Sequence, residues 1–255
     1  MTSAARRGWG RFALLLLVCF VSLQAYFAAR IALMRVVDPA STTLQRSEAW
    51  RLALDARDVA WQQRWVDYDA LPSSLKRAVV AAEDASFTEH SGVEWDALEK
   101  AWERNQRAEA AAERLDGKVS KRPPQARPPR REPKVVGGST ITQQLAKNLF
   151  LGGERSFARK VQELVLAYEI EALLGKRRIL EIYLNSVEWG EGVFGAEAAA
   201  RRYFRIGAGS LSAQQAAQLA VMLPAPKRFE KRPGSPYVMG RAATIVARMS
   251  AVELP

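Results

Sequence analysis

Histidine and cysteine are almost absent from this 255-residue chain, which carries one of each, His90 and Cys19. Cys19 lies in an apolar N-terminal run and has no second cysteine, so no intrachain disulfide can form. With one histidine and no cysteine outside that run, a zinc site built from histidine and cysteine cannot be assembled. The sequence therefore predicts a fold without such cross-links and a hydrogen-bonded structural role for His90.

Acidic residues are missing from the first 37 positions, where Arg6, Arg7 and Arg11 precede a run of 18 uncharged residues at 12–29. As a helix this run spans about 27 Å, close to the hydrocarbon core of a bilayer. No Ala-x-Ala pair ends the run, which favours an uncleaved anchor over a signal peptide. The preceding arginines favour a cytoplasmic N-terminus. The predicted organisation is a cytoplasmic tip at 1–11, a transmembrane anchor at 12–34, a lead-in at 35–64 and a folded domain at 65–255.

Positive charge is abundant, with a net charge of +11, but it is concentrated in two places. Residues 117–134 carry seven Lys/Arg against Glu132 alone, and the N-terminal tip contributes +3, which leaves +2 for the rest. A nearly neutral folded part is not expected to read nucleic acid. Residues 117–134 also hold five prolines, and we predict that this insert is disordered or extended.

Strand-like alternation is missing from segments of any length, whereas helical periodicity recurs, so the predicted class is mainly α. Two helices are predicted within residues 137–171, after a Gly137-Gly138 pivot that exploits the conformational freedom of glycine. Thr140 and Gln143 form a capping box for the first helix, and the second begins near Ser156. The second helix is expected to bury an apolar stripe made of Phe157, Val161, Leu164, Val165 and Tyr168.

Cations and amides concentrate on the remaining faces of these two helices, around the carboxylate of Glu163. The set comprises Gln143, Gln144, Lys147 and Asn148 on the first helix and Arg155, Arg159 and Lys160 at the start of the second. Arg and Lys side chains beside helix N-termini suit phosphate groups, so the stretch predicts a polyanion site next to an ionised carboxylate. A solvated amphipathic surface is the alternative for each residue taken alone.

A second carboxylate of interest is Glu83, which ends a predicted helix whose inner face includes Ala78 and Ala82. Because Val79 and Val80 precede Glu83 by one turn, its carboxylate is expected to be partly desolvated, which raises its pKa. A carboxylate tuned in this way suits a general base near neutral pH. An ordinary surface acid at a helix end is the alternative.

Five motifs follow one another along the chain: EDASFTEHSG (83–92), GGSTITQQLAKNLFL (137–151), RKVQE (159–163), RRILEIYLNSVEWG (177–190) and GAEAAARRYF (195–204). In this order they resemble the monofunctional biosynthetic peptidoglycan transglycosylases, whose glycosyltransferase domain is shared with class A penicillin-binding proteins. The resemblance covers roughly residues 65–245. It implies a mainly α, lysozyme-like, two-lobed glycosyltransferase domain behind a single N-terminal transmembrane helix, on the periplasmic side of the bacterial inner membrane.

The resemblance also implies an activity and residue roles. Lipid II would be polymerised into β-1,4 glycan strands with inversion and release of undecaprenyl diphosphate, Glu83 acting as general base and Glu163 as a second acid near the donor diphosphate. The charge of that diphosphate would be neutralised by Lys147, Arg159, Lys160 and Arg155. The other matched positions would line the groove: Asp84, Phe87, His90, Thr140, Gln143, Gln144 and Asn148.

The resemblance requires no cofactor and no protein-held metal, but leaves room for Mg or Mn at the donor diphosphate. Its implied partners are lipid II, the growing glycan strand, membrane lipids and other cell-wall synthesis or division proteins, without nucleic acid. Two features depart from the family: Gln162 replaces a cation found in some relatives, and the segment before Gly137 is longer.

Two alternatives come from other classes of protein. A lysozyme-like hydrolase or lytic transglycosylase also places two glutamates beside a sugar bond. The Lys/Arg cluster argues against it, because glycan hydrolysis has no diphosphate to neutralise. A non-catalytic membrane scaffold is the other alternative, and the presence of both Glu83 and Glu163 argues against that one.

Overall fold

The computed structural model of the chain describes residues 3–55, 61–120, 138–154 and 156–255. Most of the predicted insert, residues 121–134, lies outside these ranges, as does Arg155. The first four residues of the insert are described, and they continue a helix as far as Ser120 instead of being extended.

Helices dominate the described residues, and the helical class is therefore confirmed. They are α1 (Ser3–Leu33), α2 (Thr43–Leu54), α3 (Ser73–Glu83), α4 (Trp95–Ser120), α5 (Ile141–Phe150), α6 (Phe157–Leu173), α7 (Lys176–Ser186), α8 (Ala196–Phe204), α9 (Ala213–Met222), α10 (Pro226–Phe229) and α11 (Pro236–Arg248). A small sheet holds β1 (Gln62–Gln63), β2 (Glu188–Gly190) and β3 (Val193–Phe194), with β3 parallel to β1 and antiparallel to β2. These strands were not predicted, because two or three residues are too few to show alternation.

The start of α5 is fixed by the predicted capping box. Thr140 Oγ1 accepts a hydrogen bond from the Gln143 backbone N–H at 3.1 Å, and Gln143 Oε1 accepts one from the Thr140 N–H at 2.9 Å. Ser156 caps α6 in the same way, through its side-chain oxygen and the Arg159 N–H. Since each cap sets the rotational phase of its helix, these local contacts decide which side chains of α5 and α6 face the candidate site.

The core forms where two groups of helices meet. In one group α3 packs against α9 and α11, and in the other α5 packs against α6 and α7. Val79, Ala78 and Val80 bury the inner face of α3, whereas Ala82 is exposed, contrary to the prediction. Ala82 is the penultimate residue of α3, so it lies at the margin of the packed interface, and Glu83 ends the helix at the edge of the core.

The predicted buried stripe of α6 is wrong. Phe157 is 85% exposed and Tyr168 is 44% exposed, while the face that α6 buries carries Leu166, Ala167 and Ile170. Glu163 lies on that buried face at 3% exposure. The sequence offered two apolar faces on one helix, and periodicity alone does not say which of them meets the protein core.

Helix α1 combines a membrane-type segment with a docking end. Its residues Trp9–Leu33 are long and apolar enough to cross a membrane by length and composition. Within the C-terminal half of this segment, α1 packs against α6, where the side-chain amides of Gln24 and Gln162 exchange hydrogen bonds of 3.3 and 3.0 Å. Ile31 is completely buried in the main core. The anchor therefore docks on the domain without an intervening tether.

The predicted lead-in contributes structure to the domain. Helix α2 packs against α5, and Thr43 Oγ1 donates a hydrogen bond to the Leu149 carbonyl at 2.9 Å. Strand β1 from the same region pairs with β3. Residues of the lead-in consequently reach the edge of the candidate site.

Gly138 precedes α5 for a reason other than the predicted pivot. Its φ is not in the left-handed region, but a Cβ at this position would lie 2.9 Å from Ala101 Cβ and 3.0 Å from the Ala97 carbonyl oxygen. Glycine is needed here because the chain entering α5 passes directly over α4.

Candidate active site

Glu83 is held by a chain of hydrogen bonds that begins in the core. Tyr183 donates its hydroxyl to Gln144 Oε1 at 2.9 Å, and Gln144 Nε2 donates to Glu83 Oε2 at 2.8 Å. Burial raises the pKa of Glu83, and the Gln144 hydrogen bond offsets part of that rise. The raised pKa expected from Val79 and Val80 is therefore confirmed in direction.

A cavity of about 430 Å³, here called the groove, opens beside Gln144. The groove is lined by four of the predicted site residues from α5 and α6: Gln144, Lys147, Asn148 and Arg159. Glu188 of β2 also lines the groove, and α2 supplies Leu44 and Ser47. The groove is therefore polar, cationic and built partly by the lead-in.

Glu163 binds the two cations that precede it on α6. Its Oε2 lies 3.2 Å from Arg159 Nη1, and its Oε1 lies 2.5 Å from Lys160 Nζ. Lys160 also donates to Ser139 Oγ at 3.3 Å. Both carboxylate oxygens are thus engaged, and Glu163 fixes the orientation of the two cations. Arg159 keeps an unused donor, because its buried Nε has no hydrogen-bond partner among the described residues.

Lys147 projects from α5 into the groove, where solvent reaches its side chain. The surrounding walls still remove part of its hydration, and this desolvation lowers the pKa of the ammonium group. Glu163 opposes the shift, while the nearby positive charges of Arg159 and Lys160 add to it. An anion that enters the groove is attracted to the ammonium group of Lys147 and stabilises its charged form.

Asp84 joins the loop after α3 to the start of α5. Its Oδ1 lies 2.8 Å from His90 Nε2, and its Oδ2 accepts the Ile141 N–H at 2.9 Å. The Gly92 N–H donates to His90 Nδ1 at 3.1 Å, and Thr140 Oγ1 donates to the Gly92 carbonyl at 2.6 Å. This network fixes the end of α3, and therefore Glu83, relative to α5.

A comparison with protein families identifies the family to which the chain belongs. A family model described as Transglycosylase matches residues 53–114 and 127–250. The chain belongs to the transglycosylase family. Its activity is peptidoglycan glycosyl transfer, carried by a helical, lysozyme-like domain.

Curated relatives extend the similarity beyond the domain. Proteins named biosynthetic peptidoglycan transglycosylase are 48% identical in Paraburkholderia xenovorans, over 93% of this chain and 90% of the relative. In Burkholderia thailandensis the identity is 50% over 92% of this chain and 83% of the relative. In Bordetella pertussis it is 50% over 92% and 86%. The family match is interrupted at residues 115–126, inside the region where the sequence indicated extra length.

Several predicted groove residues of this transglycosylase serve as its framework. Phe87 is fully buried, so it offers no surface to a substrate in this structure. Thr140 and Gln143 are also buried and satisfy the α5 cap, while Asp84 and His90 form the network described above. A direct contact between these five residues and substrate stays a prediction.

The described residues contain one group with metal-ligand spacing, formed by Asp84, His90 and Glu94. Both ring nitrogens of His90 already have partners, Asp84 and the Gly92 N–H. In the groove, both oxygens of Glu163 bind cationic side chains. Both oxygens of Asp84 are engaged as well, by His90 and by the Ile141 N–H. Mg²⁺ and Mn²⁺ need oxygen ligands, so a metal at either place would have to displace these contacts. Mg or Mn at the donor diphosphate stays a prediction.

Two residues of the transglycosylase site were missed by sequence reasoning. Tyr183 is fully buried within an apolar helix, and only its hydroxyl signalled a buried polar contact. Glu188 lines the groove and is buried enough for its pKa to rise to about 7, against the lowering effect of Lys227 at 3.4 Å. In the sequence, burial of Glu188 was indicated by its position directly before the large apolar residue Trp189.

Proposed function

We propose that this transglycosylase polymerises lipid II, with Glu83 as the general base. Glu83 would accept the proton of the acceptor 4-hydroxyl while the acceptor oxygen bonds to the donor anomeric carbon. The bond from that carbon to the donor diphosphate breaks on the opposite face, so configuration inverts and undecaprenyl diphosphate leaves. The desolvated carboxylate next to Gln144 carries this part of the proposal, since a raised pKa matches a base to neutral pH.

The leaving diphosphate would occupy the groove. Lys147 and Arg159 face it, and the unpaired Nε of Arg159 supplies a donor that a phosphate oxygen would satisfy. Charge that develops on the departing oxygen is stabilised by cations already held in place, which avoids reorganisation during reaction. Glu163 would act on this step by positioning Arg159 and Lys160, since both of its oxygens are used. The proposed reaction requires no cofactor and leaves room for Mg or Mn at the donor diphosphate.

The membrane arrangement proposed here follows from α1. Its apolar segment would cross the inner membrane once, with Arg6, Arg7 and Arg11 in the cytoplasm and the catalytic domain in the periplasm. Docking of α1 on α6 would keep the cationic groove near the lipid-linked diphosphate.

Incubation of the purified protein with labelled lipid II tests the proposal. We expect long glycan products that lysozyme degrades, together with stoichiometric undecaprenyl diphosphate. Soluble sugar fragments released from finished peptidoglycan, without polymer formed from lipid II, would instead identify a lytic enzyme.

A further inference from the structure

A second cavity adjoins Glu83 and has no role in the mechanism above. It measures about 330 Å³ and shares Pro224 with the groove. We call it the arginine cavity and define it by Glu83, Arg228, Phe229, Tyr237, Arg241 and Arg248. Glu83 therefore lies between Gln144 of the groove and a second concave surface.

The three arginines of this cavity have no carboxylate partners among the described residues. Among the described residues, the guanidinium of Arg228 contacts the ring of Phe229, 5.7 Å from its centroid. Some other arginines of the domain are paired, as Arg178 is with Glu181 at 2.7 Å. Three cations that converge on one cavity repel each other and raise the local concentration of anions. The arginine cavity is thus prepared for an anionic occupant.

The walls of the cavity are rigid and partly aromatic. Phe229 and Tyr237 stack with ring centroids 5.8 Å apart and an interplanar angle of 7°. Helix α11, which carries Arg241 and Arg248, packs against both α9 and α3. The packing of α11 therefore fixes the backbone positions of Arg241 and Arg248 relative to α3, which carries Glu83, and this suits binding of a ligand that must be aligned with the base.

Two parts of lipid II carry negative charge, its diphosphate and its peptide. The diphosphate is covalently attached to the lipid, so it stays near the membrane. The membrane-type helix α1 packs against α6, so the membrane side of the domain is the side of α6. The arginine cavity is lined instead by residues of α3, α9, α10 and α11 and the turn before α10. Of the two anionic parts, the peptide is the one free to leave the lipid side and reach these helices.

Resting on the proposed function, we infer that the arginine cavity binds the carboxylates of the peptide on the acceptor lipid II molecule. Arg228, Arg241 and Arg248 pair with those carboxylates, and the acceptor sugar is thereby held with its 4-hydroxyl at Glu83. The cavity then acts as a specificity determinant for acceptors that carry an intact anionic peptide.

The test compares two substrates with three proteins. The substrates are lipid II and the same molecule with its peptide removed; the proteins are wild type, R241Q/R248Q and the control R202Q. Arg202 is exposed on α8 and lines neither the groove nor the arginine cavity. We expect R241Q/R248Q to lose about tenfold or more in kcat/KM on lipid II, the worth of one to two charge-assisted hydrogen bonds. On the peptide-free substrate it should match wild type, and R202Q should match wild type on both.

Other outcomes would overturn the inference. An equal loss on both substrates would mean that the arginines hold the sugar or diphosphate, or support the fold. The peptide would be excluded as the ligand if R241Q/R248Q lost no kcat/KM on either substrate. It would also be excluded if wild type had the same kcat/KM on both substrates. Equal loss together with weaker binding to anionic-lipid vesicles would assign the arginines to the membrane surface. Failure of the proposed function is distinguishable, because wild type would then form no polymer from either substrate.

Discussion

Gln144 influences the protonation of Glu83 from a different helix, which makes its effect testable. Its amide donates to Glu83 and so lowers the carboxylate pKa that burial has raised. A general base works when deprotonated, so activity is lost as pH falls through its folded pKa. We predict that Gln144→Ala raises this pKa further and moves the acidic limb of kcat/KM to higher pH. The control is Gln63→Ala on the exposed face of β1; an unmoved limb in Gln144→Ala would contradict the assignment.

Glu188 provides a stability test with a defined sign. Its pKa of about 7 in the folded protein exceeds the ordinary value for glutamate, so the folded state binds more protons between roughly pH 4.3 and 7. Stability is therefore lost as pH rises through this window, by up to about 3–4 kcal/mol. We predict that Glu188→Gln raises the melting temperature more at pH 8 than at pH 5. An equal change at both pH values would show that Glu188 is ionised throughout.

The sequence identified single residues well when their partners were local. Thr140 and Gln143 were recognised because the two halves of a capping box lie three residues apart. The contacts of Gln144 with Glu83 and Tyr183 span 61 and 39 residues. No periodicity encodes such pairings, so the contact of Tyr183 with Gln144 was missed. Glu188 was missed for the same reason, because its burial depends on α2 and α10.

Among the helices, α2 is tied to the margin of the groove by ion pairs. Glu48 is buried and binds Arg51 and Lys227 at 2.6 Å each, and Arg51 continues to Glu191 at 2.6 Å. These ion pairs join α2 to α10 and to the turn after β2, while Ser47 lines the groove.

We predict that Glu48→Gln costs about 1–3 kcal/mol of stability and raises KM, because two cations lose their shared carboxylate. Hydrogen exchange should rise in α2 first. Arg46→Gln is the matched control, since Arg46 is exposed on α2 and, among the described residues, its side chain donates hydrogen bonds to Ser41 and Thr43. Unchanged hydrogen exchange in Glu48→Gln would show that the ion pairs of Glu48 do not hold α2 in place.

Helix positions followed from the sequence more reliably than helix faces. The caps at Thr140 and Ser156 predicted where α5 and α6 begin. The wrong face of α6 has a physical cause: a helix beside a membrane anchor can leave apolar side chains outside the protein core. Short strands and the docking of α2 depend on tertiary contacts, which local patterns do not contain.

For the whole molecule, anchor and domain form one continuous structure. Ile31 at the end of α1 is buried in the main core, so removal of the anchor would also remove a core side chain. We predict that protein purified from membranes retains its N-terminus, as checked by N-terminal sequencing or intact mass. A mature start beyond Ala29 would rule out the anchor.

The account as a whole depends on Glu83 being the base at the junction of the groove and the arginine cavity. Its most direct test is the initial rate of lipid II polymerisation by Glu83→Gln, measured beside wild type in the same detergent. Glutamine preserves the size of the side chain and a partner for Gln144, so the melting temperature should stay near that of wild type. The account predicts a fall in rate of about 10²–10⁴, the usual contribution of a general base. A folded Glu83→Gln variant that polymerises lipid II at a near-normal rate would contradict it.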